Sequence, residues 1–298
     1  MIGPAVIGVP VAADAVARAL GRHHDYRVLR RMQPMDRRGV VQGRSRPLIG
    51  CALDVETTGL DHREDAIIEL AMQRFWADEN GRIVVTGRPH GWLEDPGRSI
   101  DPEITRLTGL ADPDVAGRSI FDPIATSMLI DSDFVVAHNA GFDRPFVERR
   151  LPAAVGGRWA CSMRDLPWRE HGFEGRTLSH LLGQMGWFYD AHRAPTDVTA
   201  LLHLLDHPLD TGGTVLKALL ANASRPTWLV EAVGAPFSAK SLLRMRGYRW
   251  NAEARLWSRE VGQEAFDAEI EWATLEIYGG MSKPRFRQMT WEQRYAAS

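Results

Sequence analysis

The chain predicts an α/β fold with a mixed sheet, followed by a small α+β unit. Three observations carry this expectation. Between about residues 48 and 211, strand-like apolar runs alternate with helix-like segments; two further strands follow the first directly, as in a meander; and the pattern changes near residue 212. A meander is antiparallel, whereas strands separated by crossover helices pair in parallel, so the sheet they share is mixed.

Taken in order, residues 1–20 open apolar but carry no basic leader and are interrupted by Pro4 and Pro10, so they read as mature structure and not as a signal peptide. Ala12 to Leu20 suits a helix, and Met32 to Pro47 has no periodicity and reads as a loop or linker. The first strand is the apolar run Leu48, Ile49, Cys51, Ala52, Leu53. Residues 66–77 and 81–87 are the next two strands, and residues 100–109 and 121–129 are helical. Phe134 to Asn139 is a buried strand, followed by a helix from about Gly141 to Arg150, a short strand at Trp159 to Ser162, and helices at 177–186 and 198–205. Beyond residue 212 come a helix at 214–222, a strand-like run at 225–233, a helical run at 237–246, and a hairpin pairing 247–251 with 255–261 through Ala252, Glu253 and Ala254. The expected division is a basic arm (1–47), a main domain (48–211) and a small α+β domain (212–298).

Charge is divided in the same way. The net charge of −2 covers nine Arg against three Asp in the arm, 15 Arg against 26 acids in residues 48–211, and 12 basic residues against nine acids in 212–298. No apolar run is long enough to cross a bilayer, so no membrane partner is expected. Cys51 and Cys161 lie in apolar segments without metal-ligand spacing, which favours a reducing, cytoplasmic setting. Ser99, Ser179 and Ser241 have no nucleophile-elbow context, and no glycine-rich phosphate loop follows a strand, so serine hydrolysis and hydride transfer drop out.

The chemistry is concentrated in LDVETTGL, residues 53–60. Asp54 and Glu56 stand two apart at the end of a strand, so both carboxylates project from one face. Two such acids repel unless a cation sits between them, and oxygen-only ligands favour magnesium or manganese over zinc. Further along, FVVAHNAGFDRPF (134–146) carries His138, Asn139 and Asp143, and HRAPTD (192–197) carries His192 and Asp197. Five residues on a helix turn about 140°, so His192 and Asp197 cannot share a helical face. Pro195 favours a first helical turn, which leaves His192 on the preceding loop and Asp197 just inside the helix.

In this order, DVETTGL, HNAGFD and HRAPTD resemble the three motifs of the DEDDh family of 3′-to-5′ exonucleases, over roughly residues 48 to 208. All five signature positions are filled, by Asp54, Glu56, Asp143, His192 and Asp197, and IDPEITRLTGL (100–110) resembles the family's connecting helix. The resemblance implies a ribonuclease H-like exonuclease domain and two divalent cations, Mg2+ or Mn2+. Asp54 would be shared between the cations, Glu56 and Asp197 would complete one, and Asp143 would reach the other directly or through water. His192 would take the proton from the attacking water. By the same resemblance Thr57, Thr58 and Leu60 hold the 3′-terminal nucleotide, and Asn139 and Phe142 lie close to the substrate groove. His138 is expected to be packed, since the family's site needs one histidine.

The implied activity is hydrolysis at the 3′ end of single-stranded or frayed DNA. The alternatives are an RNA-trimming exoribonuclease, a proofreading subunit bound to a polymerase, or a silent nucleic-acid-binding module; a missing ligand would favour the last, and none is missing. In the C-terminal hairpin Arg246, Arg249, Trp250 and Arg255 are candidate nucleic-acid contacts, because arginines neutralise phosphates and aromatic faces stack on bases.

Overall fold

The computed structural model describes residues 11–40, 46–252 and 254–296. After the N-terminal helix α1 (Val11–Leu20) and the short strand β1 (Arg30–Arg31) come β2 (Leu48–Thr57), β3 (Ile67–Ala77), β4 (Ile83–Thr86) and β5 (His90–Leu93). Helices α2 (Pro102–Thr108), α3 (Asp112–Val115) and α4 (Asp122–Ile130) lead to β6 (Phe134–Ala137), α5 (Ala140–Arg150) and β7 (Trp159–Cys161). Then follow α6 (Leu178–Gln184), β8 (Trp187–Phe188), α7 (Ala194–Leu205) and α8 (Val215–Ala223). The C-terminal elements are β9 (Thr227–Ala232), α9 (Lys240–Arg246), β10 (Arg249–Asn251), β11 (Leu256–Val261), α10 (Gln263–Trp272) and β12 (Arg285–Met289).

The large sheet has the order β4-β3-β2-β6-β7, with β5 also on β3. The β2, β3 and β4 meander is antiparallel, and β6 and β7 continue from β2 in parallel, which is the expected mixed sheet of a ribonuclease H-like exonuclease domain. Strand period fixes what each face meets. Cys51, Leu53 and Val55 of β2 join a core with Met128 of α4 and Phe146 of α5, whereas Ala52 joins a core with Leu181 of α6 and Leu201 and Leu205 of α7. Asp54 and Glu56 therefore share the parity of Ala52 and face α7. Gly50 is required where it stands, because a Cβ there would lie 2.2 Å from the Phe75 ring and 2.7 Å from that of Phe134.

The local chemistry of several helix ends is as the sequence suggests. Asp101 accepts the amide of Glu103 at the start of α2, Gly109 closes that helix at φ 73°, and Thr214 accepts the amide of Lys217 at the start of α8. The first helix of the chain and the hairpin also form, the latter pairing Trp250 with Trp257; its turn residue Glu253 lies outside the described residues.

Three expectations need correction. The stretch from Met32, read as a linker, begins as packed chain: Met32 and Met35 enter the core beside α7, and β1 pairs in parallel with β8. Residues 41–45 of that stretch, and residues 1–10, are not described. Helix α8, expected to open the small domain, buries Val215, Leu216, Leu219 and Ala223 in the core of the large sheet, so the second sheet begins with β9. That sheet, ordered β10-β11-β9-β12 and antiparallel throughout, includes a last strand at Arg285–Met289 that the sequence did not announce. It closes over its own core of Val230, Leu243, Tyr248, Val261, Ala273 and Ile277. Among the described residues no helix is long and apolar enough to cross a membrane.

Candidate active site

Strand β2 delivers Asp54 and Glu56 to the end of the large sheet, where α7 brings in Asp197 from its first turn. Carboxylate oxygens of these three residues lie within 4.8 Å of one another. Asp143, from the first turns of α5, comes in from the opposite layer. It is 3% exposed, and its Oδ1 accepts the amide of Val55 at 3.3 Å.

Burial is the main cause of the acid strengths here. It holds Asp54 protonated well above the usual carboxylate range, assisted by repulsion from Asp143, Asp197 and Glu56. It pushes Glu56 up to about 7, with Asp197 and Glu69 adding to the shift and Arg193 opposing it. Asp143 is pushed up to about 8, again first by burial. Asp197 is raised by burial, partly offset by its hydrogen bonds to Tyr189, His192 and Arg193. Four acids that resist ionisation together, offering only oxygen donors, are the complement of a divalent cation.

The third motif is held by contacts that the sequence did not reveal. Tyr189 donates its hydroxyl to Oδ1 of Asp197 at 2.9 Å, while the amides of His192 and Arg193 reach Oδ2 at 2.9 and 3.2 Å. His192 adopts the left-handed region at φ 70° and is exposed, on the loop before α7 as expected. Beside it Glu69, 3% exposed and paired in register with Glu56, accepts Nη2 of Arg193 at 2.7 Å, Nε of Arg193 at 3.1 Å and the amide of Ala194 at 2.9 Å. An acid in the otherwise apolar run IleIleGluLeuAla was the one signal that could have singled it out.

The residues assigned to substrate divide sharply. Leu60 is 87% exposed, so it is not a core residue. Thr57 is buried and donates to the carbonyl of Gly59 at 2.6 Å; the Thr58 hydroxyl takes Arg98 at 2.7 Å and the amide of Ala66 at 3.0 Å and reaches Asp65 at 3.1 Å. Both threonine side chains thus shape the turn, and the Thr58 amide joins them by donating to the carbonyl of Ala66 at 2.9 Å. Asn139 stands at φ 98° with a buried Oδ1 that lacks a hydrogen-bond partner, and Phe142 is half-buried against Phe146, ring centroids 5.0 Å apart. His138 is packed, as expected, between Ser162 Oγ at 2.8 Å and the carbonyl of Arg176 at 2.9 Å, and burial pushes it down to about 4.

The hairpin residues also divide. Arg246 stacks over Trp272, 4.8 Å from the ring centroid, and pairs with Glu269 at 3.2 Å, so it belongs to the packing of the small sheet. Arg249 and Arg255 are exposed, and Trp250 is half-exposed. A second group of potential ligands, His23, His24 and Asp25, lies on the exposed turn after α1, and nothing around it points to an ion.

Residues 51–205 match the RNase_T family, described as exonuclease. The chain is 34% identical over 162 residues to the 3′-5′ exonuclease DinG of Bacillus subtilis (strain 168), covering 51% of this chain and 17% of that protein. It is 30% identical over 121 residues to ribonuclease T of Histophilus somni (strain 129Pt), covering 36% of this chain and 56% of that one. The DNA polymerase III subunit epsilon of Treponema pallidum (strain Nichols) is 34% identical over 102 residues, covering 34% of this chain and 45% of the subunit. Among solved structures, exonuclease X in complex with 5′ overhanging duplex DNA aligns with a TM-score of 0.39 and 26% identity, over 53% of this chain and 89% of that one. The chain thus spans less than two thirds of each of these three sequence relatives.

Proposed function

Because the chain belongs to the RNase_T exonuclease family, we propose that it is a metal-dependent 3′-to-5′ exonuclease hydrolysing the terminal phosphodiester bonds of single-stranded or frayed DNA. The observation that carries the reading is the meeting of Asp54, Glu56 and Asp197, with Asp143 behind them, at the end of one strand. Their donor chemistry fits magnesium or manganese, and Asp54, Glu56, Asp143 and Asp197 would hold the ions. When bound, two such ions neutralise the phosphate, assist the leaving oxygen and lower the pKa of water.

The chain supplies the rest. His192, exposed on its loop, is the group we assign to accept the proton of the attacking water. Asp197 is kept in place by Tyr189 and by two backbone amides, and Glu69 ties down the loop on which His192 rides. By the family resemblance the exposed Leu60 would lie against the terminal base, Phe142 and Asn139 would lie close to the groove, and Thr57 and Thr58 would act through the turn they shape. The free, buried Cys51 and Cys161 suit a reducing, cytoplasmic setting.

RNA trimming is the second reading, and DNA and RNA differ at the sugar 2′ position, which loops contact. Association with a polymerase rests on the names of relatives alone, and the C-terminal sheet lies outside the matched residues 51–205. The deciding assay incubates the chain with 5′-labelled DNA and RNA strands in Mg2+ or Mn2+, beside Asp54→Ala. A ladder shortening from the 3′ end, absent in the variant, is expected; full cleavage by Asp54→Ala would sink the assignment.

A further inference from the structure

Four arginines converge where the two sheets of the molecule meet. Arg164, Arg169 and Arg176 come from the segment between β7 and α6, and Arg249 comes from β10; together they line an open cleft of about 650 Å³ whose one acid is Glu170. All four are exposed, and no ion pair or side-chain hydrogen bond holds any of them among the described residues. Other arginines are paired with carboxylates, as Arg193 is with Glu69 and Arg259 with Glu269. Like charges brought together without counter-charges repel, and an anion removes that cost.

The cleft follows β7 and so lies at the same end of the large sheet as the candidate active site, two strands from β2. The Arg164 guanidinium carbon lies 3.9 Å from where a Cβ on Gly141 would stand, at the start of the helix bearing Asp143, and the Arg176 carbonyl is bonded to His138, the neighbour of Asn139. At its other end Arg249 is followed in β10 by Trp250, which projects from the opposite face of this edge strand and lines a separate pocket of about 420 Å³, so the two features meet round the sheet edge. That pocket joins Trp250 and Trp257 to Phe237, with Lys240, Arg244 and Arg255 around it and no acid in its lining among the described residues. Phe237 is 86% exposed and Trp250 50% exposed. Aromatic faces open to solvent beside unopposed cations match a stacked base with its phosphate.

We propose that these two features form a second nucleic-acid site: the arginine cleft carries the phosphates of a single strand leaving the catalytic acids, and the Phe237–Trp250–Trp257 pocket takes one of its upstream bases. This deepens the exonuclease reading and rests on it for the direction of the strand, though not for the binding itself.

The test is binding by the full chain in the Asp54→Ala background, with fluorescein-labelled dT5 and dT20 titrated across a potassium chloride series. For Arg164→Ala/Arg176→Ala/Arg249→Ala, affinity for dT20 should fall roughly 10- to 100-fold, with little change for dT5. The log–log salt slope should flatten by about 2, since each single-strand phosphate contact contributes roughly 0.7. Trp250→Ala should weaken dT20 roughly 5- to 100-fold and leave the salt slope as it was. Unchanged dT20 affinity and slope in a triple variant that keeps the parent's circular dichroism and melting temperature would overturn the proposal. So would binding of poly-glutamate, lost in the triple variant, by a chain that does not bind dT20. The two readings fail separately: arginine-dependent dT20 binding by a wild-type chain that cuts neither DNA nor RNA in Mn2+ removes the exonuclease and keeps this site, whereas processing of dT20 unaffected by the triple variant does the reverse.

Discussion

Asp54, Glu56, Asp143 and Asp197 are a cost to the metal-free protein, and the cost depends on pH. An acid whose pKa is raised by folding binds its proton more tightly folded than unfolded. Its stabilising contribution is full below the ordinary carboxylate range and is lost as pH climbs through the folded value, about 7 for Glu56 and about 8 for Asp143. Between pH 5.5 and 9 the melting temperature in EDTA should therefore fall, by on the order of 5 °C, since 1 kcal/mol corresponds to about 2–4 °C at this size. Saturating Mg2+ or Mn2+ should flatten the curve, and Asp54→Ala should raise and flatten it without metal. A metal-free melting temperature that rises over this interval would contradict the electrostatic picture. His192 is best tested as His192→Asn, because at φ 70° asparagine is tolerated where alanine would add strain. Its amide bond to Asp197 stays, so the single-turnover rate should drop roughly 100-fold with cation half-saturation little changed. A parental rate and pH profile would remove His192 as the base.

The loop between β8 and α7 has the hardest structural task of any segment here. It must present His192 to solvent while Ala194, two residues on, is fully buried, and it is tied at three points: Asp197 draws in two amides, Tyr189 fixes Asp197, and Glu69 takes Arg193 and the amide of Ala194. Glu69 belongs to β3, so the meander supplies the anchor for a loop that the crossover helices deliver. For Glu69→Gln we expect a stability loss of about 1–3 kcal/mol, discounted because Arg193 is half in solvent. The value of kcat/KM should fall roughly 10- to 100-fold, as displacement of a reacting group by about an ångström does. Steady-state kinetics beside thermal melts decide between positioning and simple stability: parental kinetics in a destabilised variant would make Glu69 a structural residue only.

The large and small sheets each bury their own apolar faces, and the last described residues stitch the two sheets together. Arg144 of α5, 1% exposed, donates to the carbonyls of Arg294 and Glu292 at 2.7 and 2.8 Å. Arg294 in turn donates to the carbonyls of Ala223 and Arg225 and to Glu260 of β11, and Tyr295 reaches Asp165. The small sheet is thereby tied both to α8 and to the helix carrying Asp143. Arg294→Ala leaves the carbonyls of Ala223 and Arg225 without this donor and the Glu260 Oε1 with the Thr227 hydroxyl alone, which should cost roughly 2–4 kcal/mol and divide one calorimetric transition into two. A single transition at the parental temperature would show that the stitching contributes little.

What the sequence by itself determined is what short spacing controls. The two-residue step that puts Asp54 and Glu56 on one face, Pro195 at the start of α7, and the hairpin between residues 247 and 261 follow from local pattern and were legible without coordinates; the hairpin's register was not, since a turn of Ala252 to Ala254 sets Trp250 opposite Leu256 and the fold sets it opposite Trp257. Tertiary structure alone decided the partners. Glu69 and Arg193 are 124 residues apart, and Arg144 and Arg294 are 150 apart. Helix α8 has the apolar pattern of any amphipathic helix, which says that one face is buried but not in which core. The basic run from Lys240 to Arg259 likewise looks uniform as a string; folding turns Arg246 and Arg259 onto Glu269 and leaves Arg249 open beside arginines from the other sheet. Periodicity orients a side chain relative to its own element, whereas its partner is set by how elements pack, and packing depends on contacts across the whole chain.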